Sequence, residues 1–426
     1  MEYFGLTGLA GSFPKTLSGG ERRKIAVIRA IANSPKIILA EEVTSSIDDE
    51  NSQLLMELLK KNKQGEKGDD NTDDNRHLRK ASNQQGLHSK RWPFSRVLMP
   101  ITMRKVLVTG GAGFIGSHLV DALMVRGDEV CVSDNLSTGS LENVRHWLNS
   151  PNFTFIMGDL LNPIDLEKLK IERYSLIFHF AGNPKVKIGS TEPDIHFQQN
   201  IVATHNLLEL VRKTGTQPTM AFASTSTIYG EASRIPTPED YAPLKPISTY
   251  GASKLACEAL ITAYAYTYGF KAVIYRLANI VGPRSRHGVI YDFIQKLKRN
   301  PEELEILGDG SQTKSYLHIR DCVDAILLGL ENSAEQVEIF NVGSEDQVDV
   351  KTIAQIVIEE MKLKNVKPVF TGGVEGGRGW KGNVKNMLLD ITRLKRLGWK
   401  PRLNSKQAVM EAAKSLINEN PLYKSI

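Results

Sequence analysis

Three glycines, Gly110, Gly113 and Gly116, stand in the pattern G-x-x-G-x-x-G between two regular stretches. Before them runs a short β-type segment, Lys105-Val106-Leu107-Val108-Thr109, and after them a helix-forming one, SHLVDALMVRG. Strand, tight glycine turn and helix in this order constrain the chain strongly. Glycine allows the turn, lets backbone approach a pyrophosphate, and lets the helix pack closely on the strand. The helix start, with Phe114 and Ile115 in its first turn, then offers unpaired N–H groups to phosphates. A second β-type run, Glu129 to Ser133, ends at Asp134, 24 residues after Gly110. A carboxylate there accepts hydrogen bonds from ribose hydroxyls and repels a 2′-phosphate, so NAD is expected in preference to NADP.

The alternation continues. Phe153–Met157 leads to Gly158-Asp159-Leu160, Leu176–Phe180 to Ala181-Gly182, and Met220–Ala223 to Ser224-Thr225. Small and polar residues at the C-terminal ends of strands mark the ligand side of such sheets. The expected fold is α/β: a Rossmann-type doubly wound parallel sheet over residues 103–278, followed by a smaller α/β substrate lobe over 279–426. Residues 311–345 are expected to return in part to the first lobe.

Composition narrows the setting. Apolar residues make up 41% and charged residues 24% of the 426, as in ordinary globular proteins. No apolar run reaches the length of a membrane span, and the first residues lack the pattern of a secretory signal. The three cysteines, Cys131, Cys257 and Cys322, show neither metal-ligand spacing nor a disulfide framework. A cytoplasmic protein without a metal is expected. The net charge of +6 suits an anionic small molecule and does not by itself indicate nucleic acid.

Tyr250-Gly251-Ala252-Ser253-Lys254 opens another helical stretch. Residues four apart share a helix face, so Tyr250 and Lys254 can reach one cleft. A free tyrosine, with a pKa of about 10, is a poor base at neutral pH. A neighbouring ammonium favours the phenolate, and Thr225, at a strand end, can relay or position the proton.

With these residues in view, 103–426 is similar to the extended short-chain dehydrogenase/reductases, and within them to the UDP-glucose (UDP-galactose) 4-epimerase group, most of all the archaeal type. The stretches that carry the resemblance are VTGGAGFIGSHLVD, SDNLSTG, GDL, FHFAG, STSTIYGE, PISTYGASK, RLANIVGPR, HGVIYDFI and GDGSQTKSYLHIRD. It implies that Tyr250, with Lys254 and Thr225, takes the proton of the sugar 4-hydroxyl while hydride passes from carbon 4 to a retained NAD. It assigns Asn135, Ser137, Thr138, Gly139, Asp159, Leu160, Phe180 and Ala181 to the cofactor beside the glycines and Asp134. It assigns Asn279, Lys314, Arg378 and Asn383 to a UDP-sugar. Lys314 stands where the family has arginine, Asn383 where it has aspartate, and Arg378 is two positions off the bacterial spacing. Counting from Asn383 puts Met387 beside the sugar's carbon 2, where a flexible side chain would admit an N-acetyl group. His287 fits either a ligand loop or a solvated turn.

Relatives that eliminate water carry Asp-Glu after the threonine matching Thr225, and the decarboxylases place an acid one residue further on. Ser226 and Thr227 fill those positions here, so epimerisation is favoured over dehydration or decarboxylation. The resemblance also implies a homodimer built from apolar helix faces. Leu207, Leu208 and Ile261 fit either that interface or the core of one subunit.

The chain's first part differs. Leu17-Ser18-Gly19-Gly20-Glu21, the apolar Ile37-Ile38-Leu39-Ala40 with Glu41-Glu42, and Ser46-Ile47-Asp48 resemble the C-terminal half of an ABC ATPase over residues 12–62. The chain has no G-x-x-x-x-G-K-[ST] loop to hold phosphates, Glu41 replaces the family's aspartate and Val43 its proline. A non-functional fragment at 1–63 is expected, joined by a polar, disordered linker at 64–102 that has too few apolar residues to fold.

Overall fold

The computed structural model describes residues 104–419. The ABC-like stretch and the linker lie outside the described residues. Seven strands build the main sheet: β1 (Lys105–Thr109), β2 (Glu129–Asp134), β3 (Phe153–Met157), β4 (Leu176–His179), β5 (Thr219–Thr225), β6 (Ala272–Leu277) and β7 (Val337–Val342). All pair in parallel, in the order β7-β6-β5-β4-β1-β2-β3. A parallel sheet covered on both faces needs strands that are apolar throughout. β1 shows this directly. Val106 and Val108 enter one hydrophobic cluster and Leu107 the other, all fully buried.

Helices supply the two covering layers. α1 (Phe114–Val125) packs with α5 (Ile319–Glu331) on one face, through Leu119, Leu123, Ile326 and Leu330. α2 (Ala203–Thr214) and α3 (Thr249–Tyr268) cover the other, burying Leu207, Leu208, Val211, Cys257, Ile261 and Ala265. Leu207, Leu208 and Ile261 are thus core residues of one subunit, with no accessible surface, and are not part of an apolar outer face. At its start α3 is capped by the Ser248 hydroxyl, which accepts from the Gly251 N–H at 3.1 Å, and it stops at Gly269 in the left-handed region, φ +84°.

A second core gathers Val281, Phe293, Leu304, Ile353, Ala412 and their neighbours between α4 (Val289–Arg299), α6 (Val350–Glu360) and α7 (Ser405–Asn418). Short parallel pairings, Glu303–Ile306 with Lys367–Phe370 and Asn279–Val281 with Tyr316–His318, hold this lobe together. The chain enters it after β6, comes back for α5 and β7, and leaves again. The strand order reverses between β1 and β4, and a crevice opens there at the strands' C-terminal ends. No helix among the described residues is long and apolar enough to cross a membrane.

Candidate active site

A cleft of about 1090 Å³ occupies that crevice and runs on between the sheet and the second lobe. Ligand pockets commonly measure about 300–1,000 Å³, so this cleft is at the large end of the range.

The glycine turn forms one end. Gly110 has φ +71°, and a Cβ on it would lie 2.6 Å from the Ala181 nitrogen; a Cβ on Gly116 would lie 2.2 Å from the Gly110 carbonyl oxygen. Any side chain at either place would force the loop apart. α1 begins at Gly113 with no side-chain cap, so its first N–H groups remain for a ligand at the cleft floor. Asp134, at the end of β2, accepts from the Ala112 N–H at 3.0 Å and the Leu136 N–H at 2.8 Å. Burial nonetheless raises its pKa. Asn135 donates to Asp159 at 3.0 Å. Asn135, Ser137, Thr138, Asp159, Leu160, Phe180 and Ala181 all line this end. Gly139 stands just behind, where a Cβ would lie 3.0 Å from Ala112 and 3.1 Å from the Asp134 carboxylate. Glycine cradle, uncapped helix start and a carboxylate at the end of β2 fit a dinucleotide.

At the middle of the cleft stand Thr225, Tyr250 and Lys254. The Thr225 hydroxyl accepts from the Thr227 N–H at 3.2 Å and lies close enough to the Tyr250 phenol to act on its titration. The Lys254 ammonium donates to the Ala223 carbonyl at 2.9 Å and sits 4.7 Å above the Phe222 ring. Burial lowers its pKa. The sequence led us to expect a depressed Tyr250 pKa. The structure shows burial pushing it up to about 12, against the opposing pull of Thr225. Lys254, turned to the Ala223 carbonyl, does not offset that burial.

The far end belongs to the second lobe. Asn279, Lys314 and Asn383 line it, and Lys314 donates to the Asn383 side-chain oxygen at 2.8 Å. Burial brings the Lys314 pKa down to about 8. His287 lines the cleft as well, edge-on to Phe114 at 6.5 Å.

Two expectations fail here. Arg378 does not line the cleft: its guanidinium is held by Glu231 at 2.8 Å and by the Glu375 carbonyl. Met387 does not line it either. The residue is 8% exposed and packs in the main core, while Asn386 takes the outward position of the two-residue strand. The structure brings to the wall several residues that the sequence did not single out. Trp380 and Gln312 line the far end, each with a buried polar atom lacking a partner, and Lys185, Lys187, Arg284 and Arg286 add positive charge. The charged run Lys185-Val186-Lys187, just after a strand end, is a signal that could have been read.

The cleft lining, from Gly110 to Leu416, falls largely within a region that matches one family model, the NAD dependent epimerase/dehydratase family, over residues 106–343. The chain belongs to that family. Among its curated relatives is a protein described as a putative UDP-glucose 4-epimerase of Methanocaldococcus jannaschii, 31% identical over 319 residues, 74% of this chain and 99% of the relative. UDP-glucuronic acid decarboxylase 4 of Arabidopsis thaliana is 34% identical over 314 residues, 72% of this chain and 67% of the relative. Among solved structures, a UDP-galactose 4-epimerase superposes with a TM-score of 0.64 at 45% identity, covering 74% of this chain and 99% of the other. This NAD-dependent family thus includes enzymes that invert carbon 4 and enzymes that remove a carboxyl group. The local chemistry must choose between them.

Proposed function

We propose that this protein is an NAD-dependent 4-epimerase of a UDP-sugar. The observation that carries the reading is Tyr250, with Thr225 beside it and Lys254 one helical turn on, all lining the middle of the cleft between a dinucleotide-shaped end and a second ligand space. NAD, when bound, supplies a reversible hydride acceptor. Tyr250 takes the proton from the sugar 4-hydroxyl as the hydrogen on carbon 4 leaves as hydride. The cleft would let the oxidised sugar present its other face, and Tyr250 would then give the proton back to the oxygen on carbon 4. Thr225 holds the phenol and the sugar oxygen in line. Lys254 keeps a positive charge beside the phenolate and holds the nicotinamide ribose. Asn279 and Lys314 bind the diphosphate, and Asn383 the uridine ribose. A phenol with a pKa near 12 needs positive charge close by before it can act as a base near neutral pH.

The decarboxylase relatives support a second reading, loss of carbon dioxide from a UDP-sugar acid. The carboxylates that line the cleft argue against both it and dehydration. They are Asp134, Asp159 and Asp292: two at the dinucleotide end, and a third paired with Lys296 at 3.1 Å. The residues that follow Thr225 in the cleft wall, Ser226 and Thr227, offer hydroxyls and no acid. Parallel incubation with UDP-glucose, UDP-N-acetylglucosamine and UDP-glucuronate tests the proposal. A product of unchanged mass and inverted carbon 4 supports it, and loss of water or carbon dioxide refutes it.

A further inference from the structure

Behind the cleft, away from either ligand space, lies a buried ionic cluster that the chemistry above does not use. Glu258 follows Lys254 by one helical turn and Tyr250 by two, on the same face of α3. It is 4% exposed. Its carboxylate accepts from Arg276 of β6, from Nη2 at 2.8 Å and from Nε at 3.2 Å. It also accepts from the hydroxyl of Ser224, the residue before Thr225 on β5. Arg276 is itself fixed. It donates to the Tyr229 hydroxyl at 2.9 Å and the Glu239 carbonyl at 2.8 Å, and lies 5.0 Å from the Tyr229 ring centre. Tyr229 in turn donates to Asn341 of β7 at 2.8 Å.

We propose that Glu258 is a positioning residue for the reaction: clamped by Arg276, it ties Ser224 and hence Thr225 to the helix that carries Tyr250 and Lys254, and it sets a carboxylate beside the Lys254 ammonium. The inference rests on the acid–base reading of Tyr250 and Lys254.

Two arguments support it. A buried ion pair is a poor device for stability alone, since matched apolar residues serve as well or better. This one, braced from β6 by Arg276, joins the two elements that carry Thr225 and Tyr250, β5 and α3. The second argument is electrostatic. The groups that act on the Lys254 ammonium are Cys257 and Glu258 on α3, His179 at the end of β4, His196 in the short helix Asp194–His196, and the Ala223 carbonyl on β5. Burial lowers the pKa of both histidines, so they stay neutral, and raises that of the Cys257 thiol, which stays neutral as well. Glu258 is then the negative charge that opposes the desolvation of Lys254.

The sign follows. Activity needs Lys254 charged, so it fades as pH rises through the Lys254 pKa. Removing the Glu258 charge lowers that pKa and brings the alkaline limb to lower pH. The test uses the full chain and whichever of UDP-glucose, UDP-N-acetylglucosamine and UDP-glucuronate it turns over. Glu258→Gln alone strands the Arg276 charge, so the informative variant is Glu258→Gln with Arg276→Met. We expect it to fold and hold NAD as the parent does, with kcat lower by about tenfold or more. KM should stay within about threefold, and the alkaline limb should move down by up to about one unit. Parent-like kcat and alkaline limb overturn the proposal, and a lower kcat with an unmoved limb reduces Glu258 to a structural role and overturns it too. Should that double variant not fold, Ser224→Ala keeps the ion pair and removes the tie to β5. It should lose kcat at unchanged KM, and unchanged kcat overturns the proposal. Tyr250→Phe separates the two levels. If it remains active, or the parent turns over none of the three sugars, the functional reading falls and the inference with it. If only the Glu258 and Ser224 variants behave as parent, the inference alone falls.

Discussion

Tyr250 lies in surroundings that hold its proton tightly, and the chemistry proposed for it needs that proton to move. Tyr250→Phe should cost about 10²–10⁴-fold in turnover while leaving bound NAD unchanged, as measured by rate and by cofactor content after denaturation. Activity within a few-fold of the parent would remove Tyr250 from its role. Asp134→Ala should weaken NAD and relax its preference over NADP, because the carboxylate we propose to repel a 2′-phosphate is gone. Titration with both cofactors checks this. Lys314 gives a pH prediction. Its pKa is drawn down to about 8, and a bound diphosphate favours the charged form. Binding of UDP should therefore take up a proton above pH 8, and affinity should fall as pH rises through that value. Lys314→Arg, charged throughout, should abolish the decline, with the parent measured alongside so that titration of UDP itself cancels. Calorimetry from pH 7 to 9 reads both. A flat profile in the parent would mean that Lys314 does not meet the diphosphate.

At the scale of elements, the glycine turn, Asp134 and the Tyr250–Lys254 pair were legible in the sequence because each is local. A strand, a turn and a helix fix where their residues point, and so does a spacing of four on one helix. Arg378 and Met387 were not legible, for a physical reason. The segment between Phe370 and Asn386 passes through Gly372, Gly373, Glu375, Gly376, Gly377 and Gly382, all at positive φ. A backbone free to turn at so many places carries no period from which to count. It sends Arg378 to Glu231 and brings Trp380 to the cleft instead. The two-residue strand that follows then points Met387 inward. Leu207, Leu208 and Ile261 left two readings open, because an apolar stripe on a helix looks the same whether it meets a sheet or another subunit. Packing decides: Ile261 is fully buried under the sheet. Ile261→Ala should cost about 2–5 kcal/mol of stability by chemical denaturation. A loss under about 0.5 kcal/mol would contradict the packing, as expected only for an open surface.

For the whole molecule, the doubly wound order was foreseeable from the alternation of strands and helices. The path through the second lobe was harder to read, because its strands are only two to four residues long and α5 and β7 return to the main sheet. The M. jannaschii relative is matched over 99% of its length by 319 residues of this chain. Residues 103–426 alone should accordingly fold and turn over as the full chain does. Melting and kinetics of the shortened protein check this, and a large loss of either would make the first 102 residues part of the enzyme.

The account turns on one event, inversion at carbon 4 without net change. The most direct test incubates the purified protein with UDP-glucose, UDP-N-acetylglucosamine and UDP-glucuronate, each alone and without added cofactor, and follows mass and sugar stereochemistry by mass spectrometry and NMR. The account predicts that at least one is converted to its 4-epimer at unchanged mass, approaching the same mixture from either side. Formation of a lighter product, or no conversion of any of the three by protein that holds NAD, would contradict it.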